Sequence, residues 1–167
     1  MLFRSGDFVQ GASTLTQQTA RLFLLTQEKK LVRKIREILL ALRMESQFDK
    51  QQIITLYLNK VFFGNAEGVE ASAQGYFGKH TEELTLSESA LLVGLLPAPS
   101  RYNPNKNPKL SIQRRNQVLS RMAEERFISQ DEMLEAQAEP ISLSRMSDST
   151  SDATAHYIEH EIGRAHV

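Results

Sequence analysis

Arg33, Lys34 and Glu37 set two cations and a carboxylate within five consecutive positions. On a helix the acid stands four residues after Arg33 and three after Lys34, so the three share a face. Lys29, Lys30 and Arg36 thicken the positive charge around them. Guanidinium and ammonium groups gathered in this way suit a phosphorylated ligand. A carboxylate beside cations stays ionised, which suits orienting those cations or binding a metal better than abstracting a proton. Just upstream, Ser13, Thr14, Thr16, Gln17 and Gln18 place hydroxyls and amides at a helix start, where free N–H groups favour an anion or a sugar. Two plainer readings stand beside these. The charges could form a solvated ion pair contributing ~0.3–0.5 kcal/mol, and the polar run could be helix capping alone. Capping leaves Thr16 and Gln18 without a task, and the ion pair leaves the neighbouring cations unbalanced.

The elements that must carry these groups read as a succession of helices with little strand alternation. Thr14-x-x-Gln17 fits a capping box opening a helix to about Leu25. A second helix bears Leu31, Ile35, Ile38, Leu39 and Leu42, a spacing that predicts one buried stripe with Arg33, Lys34 and Glu37 off it, facing solvent or ligand. Asp49-x-x-Gln52, Thr85-x-x-Glu88 and Ser129-x-x-Glu132 mark three more helix starts, and Asn107-Pro108 an N-cap followed by N1 of a long helix. Gly64 punctuates the third helix, a short helix is expected near 69–76, and 100–108, with two prolines and three asparagines, is expected to be irregular. The Ser, Thr and Asp of 142–154 read as a linker.

Composition narrows the choices. The 167 residues are 41% hydrophobic, enough for one domain with a core. Net charge is zero, so attraction to a polyanion must come from a local cluster. Absence of Cys excludes disulfides and thiolate metal sites. No apolar run approaches the ~20 residues of a membrane span. His156-x-x-Glu159-His160 matches a five-residue metallopeptidase pattern, with chance agreement as the plainer reading. Arg114, Arg115 and Arg121 offer either a second phosphate contact or a solvated helix face, and His80 is expected to be exposed.

Taken in order, four stretches resemble the peptidoglycan glycosyltransferase domain (glycosyltransferase family 51) of class A penicillin-binding proteins. They are GASTLTQQTARLFLL at 11–25, RKIREILLALRME at 33–45, KQQIITLYLNKVFFG at 50–64 and RRNQVLSRM at 114–122. The resemblance implies an all-α, lysozyme-like fold lacking its N-terminal part, and an enzyme that polymerises lipid II with release of undecaprenyl pyrophosphate. It implies that Ser13, Thr14, Gln17, Gln18, Arg21, Lys29, Arg33 and Lys34 hold the donor's phosphates and sugar, with Glu37 as a catalytic carboxylate. No resident protein metal site is implied, although a divalent cation, Mg or Mn, stays open. The implied partners are lipid II, the growing glycan strand and a membrane reached through an N-terminal anchor outside the chain, with no nucleic acid. The implied location of the parent protein is the outer, periplasmic face of the bacterial cytoplasmic membrane. His156 and His160 lose their metal reading. The competing class is a helical nucleic-acid-binding module using the basic run 29–36, which zero net charge disfavours.

The resemblance also divides the chain. Residues 6–140 are the expected partial glycosyltransferase domain and 141–160 the linker toward a transpeptidase domain. Positions 1–5 and 161–167 read as translations of a sequencing-library adapter and are expected to be adapter-derived. Leu22 stands where the family usually has Asn, which would loosen a turn or a donor contact. The family's first motif, whose Glu is the proposed base, has no counterpart in these residues. The purified 167-residue chain is therefore predicted not to polymerise lipid II, and glycan product in that assay would contradict it.

Overall fold

A computed structural model describes residues 14–24 and 30–144. Among these residues the fold is all-helical, as the periodicity predicts. In order run α1 (Leu15–Phe23), α2 (Lys30–Gln47), α3 (Lys50–Lys60), α4 (Val69–Phe77), a 3-10 turn (Thr81–Glu83), α5 (Leu86–Leu95), α6 (Pro99–Tyr102), α7 (Pro108–Glu124) and α8 (Gln130–Ala138). Three predicted caps close in both directions: Asp49 with Gln52, Thr85 with Glu88, and Ser129 with Glu132. Each satisfies N–H groups that a helix start would otherwise leave open. Pro99 does more than stop α5, since it opens the single turn of α6 within a stretch expected to be irregular. Asn107 sits at the N-cap of α7, but its side chain donates to Arg101 O at 2.9 Å instead of capping.

The main core lies where α3, α4 and α5 meet, around Tyr57, Phe63, Tyr76, Leu91, Leu92 and Leu95. Leu22 packs against it, so this departure from the family pattern gives α1 an anchor. Gly64 (φ +100°) holds the turn between α3 and α4, where an added Cβ would lie 2.9 Å from Pro99 O. Beside it Tyr76 donates its buried hydroxyl to Phe63 O at 3.1 Å, and burial pushes that hydroxyl's pKa up to about 12. A smaller cluster joins Ala20 of α1 to Ala41 and Met44 of α2.

That second cluster overturns the expectation for α2. Leu31, Ile35, Ile38, Leu39 and Leu42 are all exposed, Leu31 by 81%, whereas Glu37 is 4% exposed. The helix is turned so that the face bearing Glu37, Ala41 and Met44, not its aliphatic stripe, is buried. Ala20 is the α1 residue in that contact.

Arg115 is the second surprise. Neither a phosphate contact nor solvated, it is 2% exposed and donates to Ser87 Oγ, Glu139 O, Gln137 O and Asn116 Oδ1 at 2.7–3.0 Å. It thereby caps the last carbonyls of α8 and joins that helix to α5. The chain then turns back. Ser144 N donates to Tyr76 O at 2.7 Å, and Ile141 and Leu143 pack on the main core, so the first residues of the expected linker lie against the domain. Arg115→Met, which keeps the stem and removes the donors, is expected to lower stability by about 2–4 kcal/mol in urea unfolding. A change below the error of the measurement would contradict the clamp.

Candidate functional site

The α1–α2 interface assembles the site. Thr14 caps α1, its Oγ1 accepting from Gln17 N at 3.2 Å. The predicted box closes only on that side, because Gln17 Oε1 accepts from Lys34 Nζ at 3.3 Å across the interface. Lys34 Nζ also lies 3.4 Å from Glu37 Oε2, and Arg33 Nε lies 3.3 Å from Glu37 Oε1. The Arg33 Nε contact is an ion pair without hydrogen-bond geometry, and this buried N–H has no hydrogen-bond partner. The Glu37 side chain is only 6% exposed, against 33% for Arg33 and 44% for Lys34. A carboxylate therefore sits inside with its two cations reaching outward from it.

Arg21 follows Gln17 by one helical turn on the same side of α1 and is exposed. Thr14 and Gln18, also exposed, fall on the adjoining part of that helix surface. The structure thus gathers Thr14, Gln17, Gln18 and Arg21 on α1, and Arg33, Lys34 and Glu37 on α2, at one helix pair. Thr16 belongs elsewhere: it is buried, which answers the task that capping alone left open. Ser13 and Lys29 lie outside the described residues, as do His156, Glu159 and His160. Lys30 opens α2.

The groups outside this cluster have local duties. Arg121 pairs with Glu124 at 2.8 Å, and Arg114 lies over the Tyr102 ring and donates to Gln117. With Arg115 buried and Arg114 and Arg121 engaged locally, α7 adds nothing to the nucleic-acid alternative built on the basic run 29–36. His80 is exposed as expected, yet it pairs through Nδ1 with Glu70 at 2.6 Å. Thr81 and His80 hydrogen bonds pull the Glu70 carboxyl down to about 2, and the same carboxylate raises the imidazole above its usual range. Lys79 and Glu88 form a second tight pair at 2.7 Å, fastening the end of α4 to the start of α5.

A buried acid with two outward cations and hydroxyl and amide groups nearby can grip an anion. The Transglycosylase family model matches residues 1–123, and the chain belongs to that family. It is similar to penicillin-binding protein 1A of Aquifex aeolicus, at 46% identity across 96% of this chain and 23% of that protein. Penicillin-binding protein 1A of Haemophilus influenzae is 54% identical over 82% of this chain and 16% of its own length. The crystal structure of the Haemophilus influenzae protein covers 93% of this chain with a TM-score of 0.57 and 34% identity, and 21% of its own chain is matched. The chain spans about a fifth of the length of these relatives.

Glu37→Leu would leave Arg33 and Lys34 facing each other over an apolar residue. Because both cations are a third or more exposed, the expected loss is about 1–2 kcal/mol, below that of a fully buried pair. Glu37→Gln, which keeps an acceptor, should lose less. Equal stability of wild type and Glu37→Leu in urea unfolding would contradict a structural role for the carboxylate.

Proposed function

We propose that the α1–α2 cluster binds the diphosphate of a lipid-linked sugar donor, as part of a peptidoglycan glycosyltransferase that polymerises lipid II. The observation that carries the reading is Glu37, buried between Arg33 and Lys34 and turning them into one preset cationic pair. When the bond from sugar to diphosphate breaks, negative charge grows on the leaving group. Cations fixed in advance stabilise that charge without reorganising. Arg33 and Lys34 take the phosphates, Arg21 extends the cationic surface, and the resemblance gives Lys29 a role with them. Ser13, Thr14 and Gln18 supply hydroxyl and amide contacts to phosphate or sugar.

Glu37 acts in this reading as the orienting carboxylate. Its two oxygens face cations, so the acceptor hydroxyl's proton goes to another group, the place the resemblance gives to the Glu of the family's first motif. A divalent cation, Mg or Mn, bound to the diphosphate is compatible with this reading. The partners are lipid II and the growing strand, and the working location is the outer face of the bacterial cytoplasmic membrane. No helix among the described residues is long and apolar enough to cross that membrane.

The chain is expected to bind inorganic pyrophosphate in calorimetric titration, with affinity falling as salt rises. Arg33→Ala and Lys34→Ala should each weaken binding about tenfold, the loss of one charge-assisted hydrogen bond. Absence of binding by the wild-type chain, or wild-type affinity in both variants, would overturn the proposal.

A further inference from the structure

Three helices in this fold show what an N3 glutamine or glutamate ordinarily does. Gln52 Oε1 accepts from Asp49 N at 2.9 Å, Glu88 Oε2 from Thr85 N at 2.9 Å, and Glu132 Oε2 from Ser129 N at 2.7 Å. Gln17 holds the same position in α1, under an N-cap hydroxyl already bonded to its N–H. Its side chain nevertheless leaves its own helix start and meets Lys34 Nζ on α2, 17 residues along the chain. α1 forgoes a local bond that α3, α5 and α8 all make. A local rule broken at a cluster of charged groups points to a functional demand at that place.

We infer that Gln17 is a positioning residue: it acts through Lys34, holding the ammonium group between its own amide oxygen and Glu37, and does not itself contact the donor. The inference rests on the diphosphate reading of the site and divides the α1 polar groups by role. Lysine has a flexible four-carbon stem and a rotatable head, so a point charge aimed at a phosphate needs external fixing. Glu37 supplies it from one turn along the same helix, and Gln17 from the facing one. The half-buried amide ties the setting of Lys34 to the packing of α1 on α2, which Ala20, Ala41 and Met44 enforce.

The test is a double-mutant cycle on the 167-residue chain, with pyrophosphate affinity as the readout. Gln17→Met should weaken binding about three- to tenfold in the wild-type background and have no further effect in Lys34→Met. In ligand-free protein, Gln17→Met should shift the NMR signals of the Lys34 ammonium group. Gln52→Met opens a capping box away from the site and controls for lost helix stability, so it should alter neither the affinity nor the Lys34 signals. An equal loss from Gln17→Met in both backgrounds would make Gln17 a direct ligand contact and overturn the inference. Unchanged Lys34 signals, or unchanged affinity, in the Gln17→Met protein would also overturn it. Wild type that fails to bind pyrophosphate would instead remove the diphosphate reading, and the inference with it.

Discussion

A carboxylate taken out of water between two cations is the constraint on which this structure turns. Glu37 would be costly to bury alone. Its burial is tolerable because Arg33 and Lys34 reach it from the same helix. That requirement fixes how α2 is rotated about its axis. With Glu37 inward, Ala41 and Met44 follow it into the α1 contact, and the aliphatic stripe must face away. The electrostatic and packing demands agree, since Ala20 of α1 meets Ala41 and Met44 there. The chemistry that the cluster can do is a consequence of how the helix pair packs.

The remainder of the domain supports that pair from behind. α3 lies against α1, and its Tyr57 and Val61 feed the main core with Phe63, Tyr76 and the leucines of α5. Leu22 carries α1 onto the same core. At the far end, Arg115 fastens α8 to α5 by hydrogen bonds to backbone carbonyls and Ser87. An arginine in such a position trades solvation for several charge-assisted bonds, and burial lowers its pKa from the usual value. The phosphate-binding face proposed for the α1–α2 end and the polar staple at the α7–α8 end thus use the same side-chain chemistry for unlike purposes.

What the sequence made legible was mostly local. Capping at Asp49, Thr85 and Ser129 depends on residues three apart, and each predicted box is present. The four motifs led to the family that the comparison with known proteins establishes. The grouping of Arg33, Lys34 and Glu37 follows from helical spacing and is also present. The orientation of α2 was not legible, because its aliphatic face has the more persuasive periodicity and only the facing helix decides between the two. Gln17 was read as a cap because its alternative partner lies on another helix. Arg115 gave no signal at all, since an arginine beside other polar residues on a long helix ordinarily faces water.

The most direct measurement is a crystal structure of the chain grown with methylene diphosphonate, a diphosphate that cannot be hydrolysed. The account predicts density for both phosphonates against the Arg33 and Lys34 side chains, with the Glu37 carboxylate still behind them. Diphosphonate seated elsewhere, or a Glu37 turned out to solvent while Arg33 and Lys34 point apart, would contradict it.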